Sequence, residues 1–430
     1  MIRFFLLLVV TLCCWTQSVR SQELPESLKA KVDAMITAEL DKGAFPGASV
    51  AIGTRNGIFY LKSYGYHDYS KRLPVRNDDV FDVASCTKVL STTFAAMRLF
   101  DQGRLRIEDS IGHYLPELVG SPISGITLEE LLTHTSGMPA QVLYSPFVHN
   151  ADGGNMFSSK KSDEYPYQVG KNYFVCRNVA FDTTYFSETP RDGWRQGCDR
   201  LFINPAIDTV LYAQIFDAFK SENRGKYAYS DSNLWILKQI VERVSGETLD
   251  RMTRDLFAEM GCKNTYYNPL RYRSKDRCMP TEVDHVLKRD TVNGYVHDEL
   301  AVMAGGVGGN AGLFTTAEDM SRFCEMILNG GVYNGKRILS ENTVRLFTAS
   351  PLADKGIWRG LGFDKRDPVN SRLGGKNCFG HTGFTGTIFW MDADSGIYMV
   401  FLSNAVHPTR LNNRLNSSML RTELWKVVSQ

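Results

Sequence analysis

Two strand–turn–strand patterns stand near opposite ends of this chain, and neither can fold by itself. At the front, Ala48 to Ile52 and Ile58 to Ser63 flank Thr54-Arg55-Asn56-Gly57, whose Asn-Gly is a strong signal for a tight hairpin turn. At the back, Thr387 to Met391 and Ile397 to Leu402 flank Asp392-Ala393-Asp394-Ser395-Gly396. An isolated hairpin is marginal in water, so the front strands have to join the C-terminal ones in a single antiparallel sheet. Apolar residues at helical spacing precede the first hairpin (Leu28, Val32, Ile36, Leu40) and follow the last (Leu411, Leu415, Leu420, Leu424). These two terminal helices are expected to cover the sheet.

The stretch between 90 and 274 is patterned mostly as helices with irregular connections. Thr127 with Glu130 reads as a capping box opening one helix, and Leu234, Leu237, Ile240 and Val241 mark another that stops at Ser245-Gly246. The expected fold class is therefore α+β. An α/β sandwich lobe, with its antiparallel sheet covered by the terminal helices, takes residues 22–84 and 296–430; residues 85–295 form an all-helical lobe. A chain of 430 residues that is 43% hydrophobic can bury cores of that size. Within the helical lobe, residues 140–226 form an insert whose first part, to about Trp194, is rich in Tyr and Phe and has little periodicity. Long segments of that kind are often functional, although packing against themselves is an equal expectation.

Charge is nearly balanced, 49 basic against 47 acidic residues, with no basic block, so nucleic acid is not an expected partner. Met1-Ile2-Arg3 followed by a largely apolar run from Phe4 to Trp15 reads as a signal peptide over residues 1–21, with cleavage ahead of Gln22. The expectation is an exported protein, periplasmic or secreted, with lipid attachment at Cys13 or Cys14 as an alternative. No later stretch is long and apolar enough to span a bilayer. Of nine cysteines, seven follow the leader. Cys176/Cys198 and Cys262/Cys278 are the nearest candidate pairs, and an odd count leaves one thiol over. No Cys or His spacing resembles a zinc site, so neither a metal nor another cofactor is expected.

The chemistry begins at Ser85-Cys86-Thr87-Lys88, which opens a helical run through Val89, Leu90, Phe94 and Met97. Side chains three apart on a helix point the same way, so the Lys88 amine can approach the Ser85 hydroxyl. A serine hydroxyl is a weak nucleophile until a neighbouring base activates it. Two further stretches carry partners: Tyr229-Ser230-Asp231 just before the Leu234 helix, and His381-Thr382-Gly383 leading into the Thr387 strand. The glycine-rich run 303–312 lacks the Gly-Lys-Ser/Thr of a phosphate loop, so nucleotide binding is rejected.

With these three motifs in this order the chain resembles the serine β-lactamase and penicillin-binding-protein superfamily, in its class C branch with D,D-peptidases, D-aminopeptidases and esterases. Leu131 to Gly137 and Gly309 to Phe314 also look like landmarks of that superfamily. The resemblance implies the β-lactamase/transpeptidase-like fold and an acyl-enzyme on Ser85. It also implies Lys88 and Tyr229 as proton-handling partners, and an oxyanion hole from the backbone N–H groups of Ser85 and Phe384. Asp231, His381, Thr382 and Gly383 are then the expected substrate-binding residues. Tyr229 is favoured over Lys88 as general base, because a carboxylate at Asp231 would keep the amine charged. The superfamily pattern has Asn at position 231 and Lys at 381; both departures weaken a β-lactamase reading. His134 is expected to be structural, and His297 is open between a structural network and the site rim.

The implied activity is a serine hydrolase acting on a small-molecule or short-peptide acyl substrate, with esters put first. Cell-wall peptides, β-lactams and acyl transfer to a small alcohol or amine are alternatives within enzymes, and an inactive receptor or assembly protein on the same fold is the alternative outside them. If the aromatic insert lies over the cleft, it would supply an apolar wall for an acyl group.

Overall fold

The computed structural model describes residues 25–429; the signal-peptide reading at 1–21 and Cys13 and Cys14 lie outside them. In chain order, the elements that position the site begin with helix α1 (Glu26–Asp41) and strands β1 (Gly47–Thr54) and β2 (Gly57–Gly65). Helices α2 (Phe94–Asp101), α3 (Leu128–Thr133), α4 (Asp231–Ser245) and α5 (Ala317–Leu328) follow. Strands β3 (Cys378–Thr382), β4 (Ile388–Asp392) and β5 (Ile397–Ser403) and helix α6 (Leu420–Val428) complete the set.

The five strands form one antiparallel sheet in the order β3-β4-β5-β1-β2, so the first strands of the chain do pair with the last ones. Ala48 lies opposite Ser403 and Thr54 opposite Ile397, which sets β1 between β5 and β2, inside the sheet. Its two faces feed two different cores. Ala51 joins Phe323, Phe389 and Val400 under α5, whereas Val50 and Ile52 join Val32, Ile36, Leu424 and Trp425 of the terminal helices. Alternation along β1 therefore separates two apolar layers rather than core from water, and the strand is buried along nearly its whole length.

In the second lobe the capping box is formed as expected: Thr127 Oγ1 accepts from the Glu130 N–H while Glu130 accepts from the Thr127 N–H. Helix α4 stops at Gly246 in the left-handed conformation. The lobe is not all-helical, however. The insert contains small sheets of two to four residues per strand, such as Val148–Asn150 with Val179–Phe181. Strands that short cannot show a period of two in sequence, which is why the segment reads as irregular. Its aromatic side chains pack largely on one another, Phe147 edge-on to Tyr185 and Phe157 stacked on Tyr173.

The candidate disulfides are not formed: all seven described cysteines are buried free thiols. Cys176 and Cys198 sit in or beside different small sheets of the insert. Cys262 faces the Asp319 carbonyl, whereas Cys278 belongs to a separate cluster with Val80. Among the described residues no helix is long and apolar enough to cross a membrane.

Candidate active site

Ser85 lies in a single 3-10 turn (Ala84–Cys86), followed by a widened turn over Lys88–Thr93 before α2 begins. Lys88 opens that widened turn three residues after Ser85, a spacing that puts the two side chains on one face. The Lys88 ammonium donates to Ser85 Oγ at 2.8 Å and to the Asn310 carbonyl at 3.0 Å, and it pairs with Asp231 Oδ1 at 2.6 Å. Its side chain is fully buried. Burial pushes its pKa down, but the Asp231 carboxylate and the Tyr229 oxygen push it up and prevail, so the amine is held protonated. Asp231 thus departs from the superfamily pattern in a way that keeps Lys88 a cation.

The glycine-rich run explains how Lys88 is held. Thr92 donates to the Gly309 carbonyl and Tyr267 to that of Gly308, laying the run along the Lys88 segment. A Cβ on Gly309 would sit 2.0 Å from the Leu234 carbonyl of α4, so only glycine lets the run approach so closely.

Tyr229 precedes α4 and its ring is surrounded on several sides. Lys88 Nζ stands 5.0 Å and the Arg359 guanidinium carbon 5.6 Å from its centroid, and the His134 ring packs at 4.6 Å. His134 is structural, as its sequence setting implies. Its Nδ1 accepts from the Ser230 N–H and from the Asn233 amide, both at 3.1 Å, tying the Tyr229 turn to the end of α3. Tyr227, the competing tyrosine, is half exposed on the rim of the cleft.

The third motif lies on the edge strand β3 and the turn after it. His381 is 2% exposed. Burial and then the neighbouring Arg359 hold its pKa well below the ordinary histidine value, so the ring is neutral. Its Nδ1–H donates to the Thr382 carbonyl (2.7 Å) and its Nε2 accepts from Arg359 (3.2 Å). The turn is bolted to the nucleophile: Thr385 donates to the Asp82 carbonyl at 2.7 Å and Thr387 to that of Val83 at 3.1 Å. Asp82 itself accepts from the N–H groups of Ala84 (2.8 Å) and His297 (2.7 Å). His297 therefore belongs to a structural network, with its ring paired to Glu282. The N–H groups of Ser85 and Phe384 donate to no protein acceptor among the described residues, leaving both free for an oxyanion. Cys86, for which the sequence suggested no role, packs its thiol against the His381 carbonyl.

Ser85, Tyr229, His381, Thr382, Gly383 and Phe384 line one cleft of about 400 Å³. Lys88 and Asp231 stand behind it, Lys88 reaching it through Ser85. Four arginines line it too, Arg359, Arg366, Arg410 and Arg421, which sequence reasoning missed because all four sit outside the motifs. Among the described residues none of 140–226 lines it, so the aromatic insert does not wall this cleft.

A family model described as Beta-lactamase matches residues 32–423 of this chain. Among curated proteins, the chain is 29% identical to an N-acetylmuramyl-L-alanine amidase of Bacillus subtilis (strain 168), over 93% of this chain and 86% of that protein. It is 28% identical to a protein of Escherichia coli (strain K12) named "Putative D-alanyl-D-alanine carboxypeptidase", over 91% of this chain and 86% of that one. Among solved structures it is similar in fold to the D-alanine carboxypeptidase AmpC of Burkholderia cenocepacia, with a TM-score of 0.61 at 17% identity, covering 94% of this chain and 99% of that one.

Proposed function

The chain belongs to the β-lactamase family and is a serine hydrolase, and we propose that it cleaves the amide bond of a short peptide ending in a free carboxylate, as in a D-alanyl peptide. The observation that carries this reading is fixed positive charge beside the nucleophile. Arg359 and Arg366 share one carboxylate, Asp364, at 3.3 and 2.6 Å, so this trio keeps one uncompensated positive charge at the rim. With His381 neutral, the guanidinium pinned against its Nε2 replaces the lysine that the superfamily carries at 381. A neutral ester has no use for that charge. Two of the relatives are also named for amide-bond cleavage, and one of them, the Escherichia coli protein, for D-alanyl-D-alanine.

In the proposed sequence of steps, Ser85 Oγ attacks the carbonyl and its proton passes to Tyr229, which enters the step as the phenolate beside the Lys88 and Arg359 cations. The oxyanion is held by the N–H groups of Ser85 and Phe384. Lys88, already charged, stays charged and orients Ser85. Tyr229 then returns the proton to the departing amine, and water repeats the attack on the acyl-enzyme. A second reading, short esters, is favoured by Phe384, whose ring is 59% exposed at the cleft and offers an apolar surface.

The test is acylation of Ser85, followed by mass spectrometry, with N-acetyl-D-alanyl-D-alanine, its C-terminal amide, activated short esters and a cephalosporin. The free-carboxylate peptide is expected to label wild type, not Ser85→Ala, about tenfold or more faster than the C-terminal amide. Faster labelling by uncharged esters or by the cephalosporin overturns the peptide reading. Export is also proposed, from the leader alone: the mature protein made in a secreting host is expected to begin at Gln22, and a retained Met1 would refute it.

A further inference from the structure

Charge in the cleft does not close after the Arg359–Arg366–Asp364 trio. Arg410 is compensated twice, by Glu282 at 2.7 Å and Glu299 at 2.8 Å, and Lys88 by Asp231. Arg421, in the first turn of α6, has no carboxylate within ion-pair distance among the described residues. Its guanidinium donates to the Asn416 side chain at 2.7 Å and to the Thr387 carbonyl at 3.3 Å. A guanidinium carries five N–H donors, so three remain unspent in the same cleft as Ser85. Burial without a counter-charge pushes its pKa down from the ordinary arginine value, a cost that an incoming anion would remove. Its position follows from the packing of α6 on the sheet, with Leu424 and Trp425 fully buried beneath it, so the charge is held in place by the core.

We propose that Arg421 binds a second acidic group of the substrate, on its acyl side, so that the preferred substrate carries two carboxylates. This rests on the reading above, in which the first carboxylate, on the leaving group, meets the Arg359 trio. The planar fork suits a carboxylate bidentately, and Thr387, whose carbonyl anchors it, closes the turn that carries the Phe384 N–H. Occupation of Arg421 therefore registers the acyl part of the substrate against the oxyanion hole. A substrate lacking that acid is expected to bind less tightly and to lie less well registered.

The experiment compares N-succinyl-D-alanyl-D-alanine with its succinamoyl analogue, which replaces the remote carboxylate by an amide of the same shape. Wild type is expected to favour the succinyl peptide in kcat/KM by about tenfold, the scale of one charge-assisted pair. The preference should shrink as salt rises. Arg421→Met is expected to bring the ratio near one, and Arg421→Lys to retain part of it. A wild-type ratio near one overturns the inference without any variant, and so does a ratio that survives in a folded Arg421→Met protein. If neither peptide acylates Ser85 at all, the reading of the substrate class has failed instead, and the two failures are told apart.

Discussion

At Lys88 three influences compete, and their balance decides the mechanism. Burial alone would strip the proton and make the amine a base; the carboxylate of Asp231 at 2.6 Å reverses that. A buried pair of this kind is costly to break, because one charge is then left without its partner. Asp231→Asn is therefore expected to release Lys88 to the pull of burial. The pH profile of kcat should then gain a limb below pH 10 that wild type lacks, with kcat at pH 8 falling about tenfold to hundredfold, the lower part of the range for a disturbed proton relay. An unchanged profile would mean that Asp231 does not hold the charge. The motif spacing was enough to pair Ser85 with Lys88. The contact with Asp231 was only an expectation from sequence, because nothing in the chain order says that the start of α4 faces the turn that carries Lys88.

At the scale of elements, the site is made where the β3–β4 turn meets the nucleophile's 3-10 turn. A Cβ at Gly383 would lie 2.1 Å from Thr387 Oγ1 and 2.3 Å from the Val83 carbonyl. Both atoms belong to the bolt between those two turns, so neither can give way without moving Ser85 or Phe384. Gly383→Ala is expected to lower kcat about 10²- to 10³-fold, the effect of misplacing one oxyanion donor, with a small change in thermal midpoint. Wild-type kcat in this variant would show that the turn is not a working part of the site. Here the sequence was legible in part. His-Thr-Gly pointed to the strand, but Asp82, which ties Ala84 to His297, lies in no motif. The insert was less legible still, since its strands are too short to leave a period.

For the whole molecule, a partly buried acid near the site, Asp298, makes stability depend on pH. Burial, with Asp231 and Glu299 nearby, raises the pKa of Asp298 from 3.8 to about 6. The folded state thus holds a proton that the unfolded chain has released. The stabilising contribution is full below about pH 4 and is lost as pH rises through about 6. Asp298→Asn keeps the helix cap to Ala301 and the contact with Asn310 while removing the titration. Its thermal midpoint, measured against wild type, is expected to improve from pH 4 to pH 8, by on the order of 1–3 kcal/mol in stability. A difference that stays constant with pH would contradict the raised pKa.

What the sequence determined by itself is what short-range rules write into it. The hairpin turns, the capped helices, the pairing of the first strands with the last and the order of the three motifs all follow from spacing, turn chemistry and the need of lone strands for partners. What only the tertiary structure decided is the electrostatics of the cleft. Which arginines reach it, and why Arg410 is compensated by Glu282 and Glu299 while Arg421 is not, depend on segments far apart in the chain being packed together. Charge interactions act through space, so the same residues read along the chain carry no record of them until the core has set their distances.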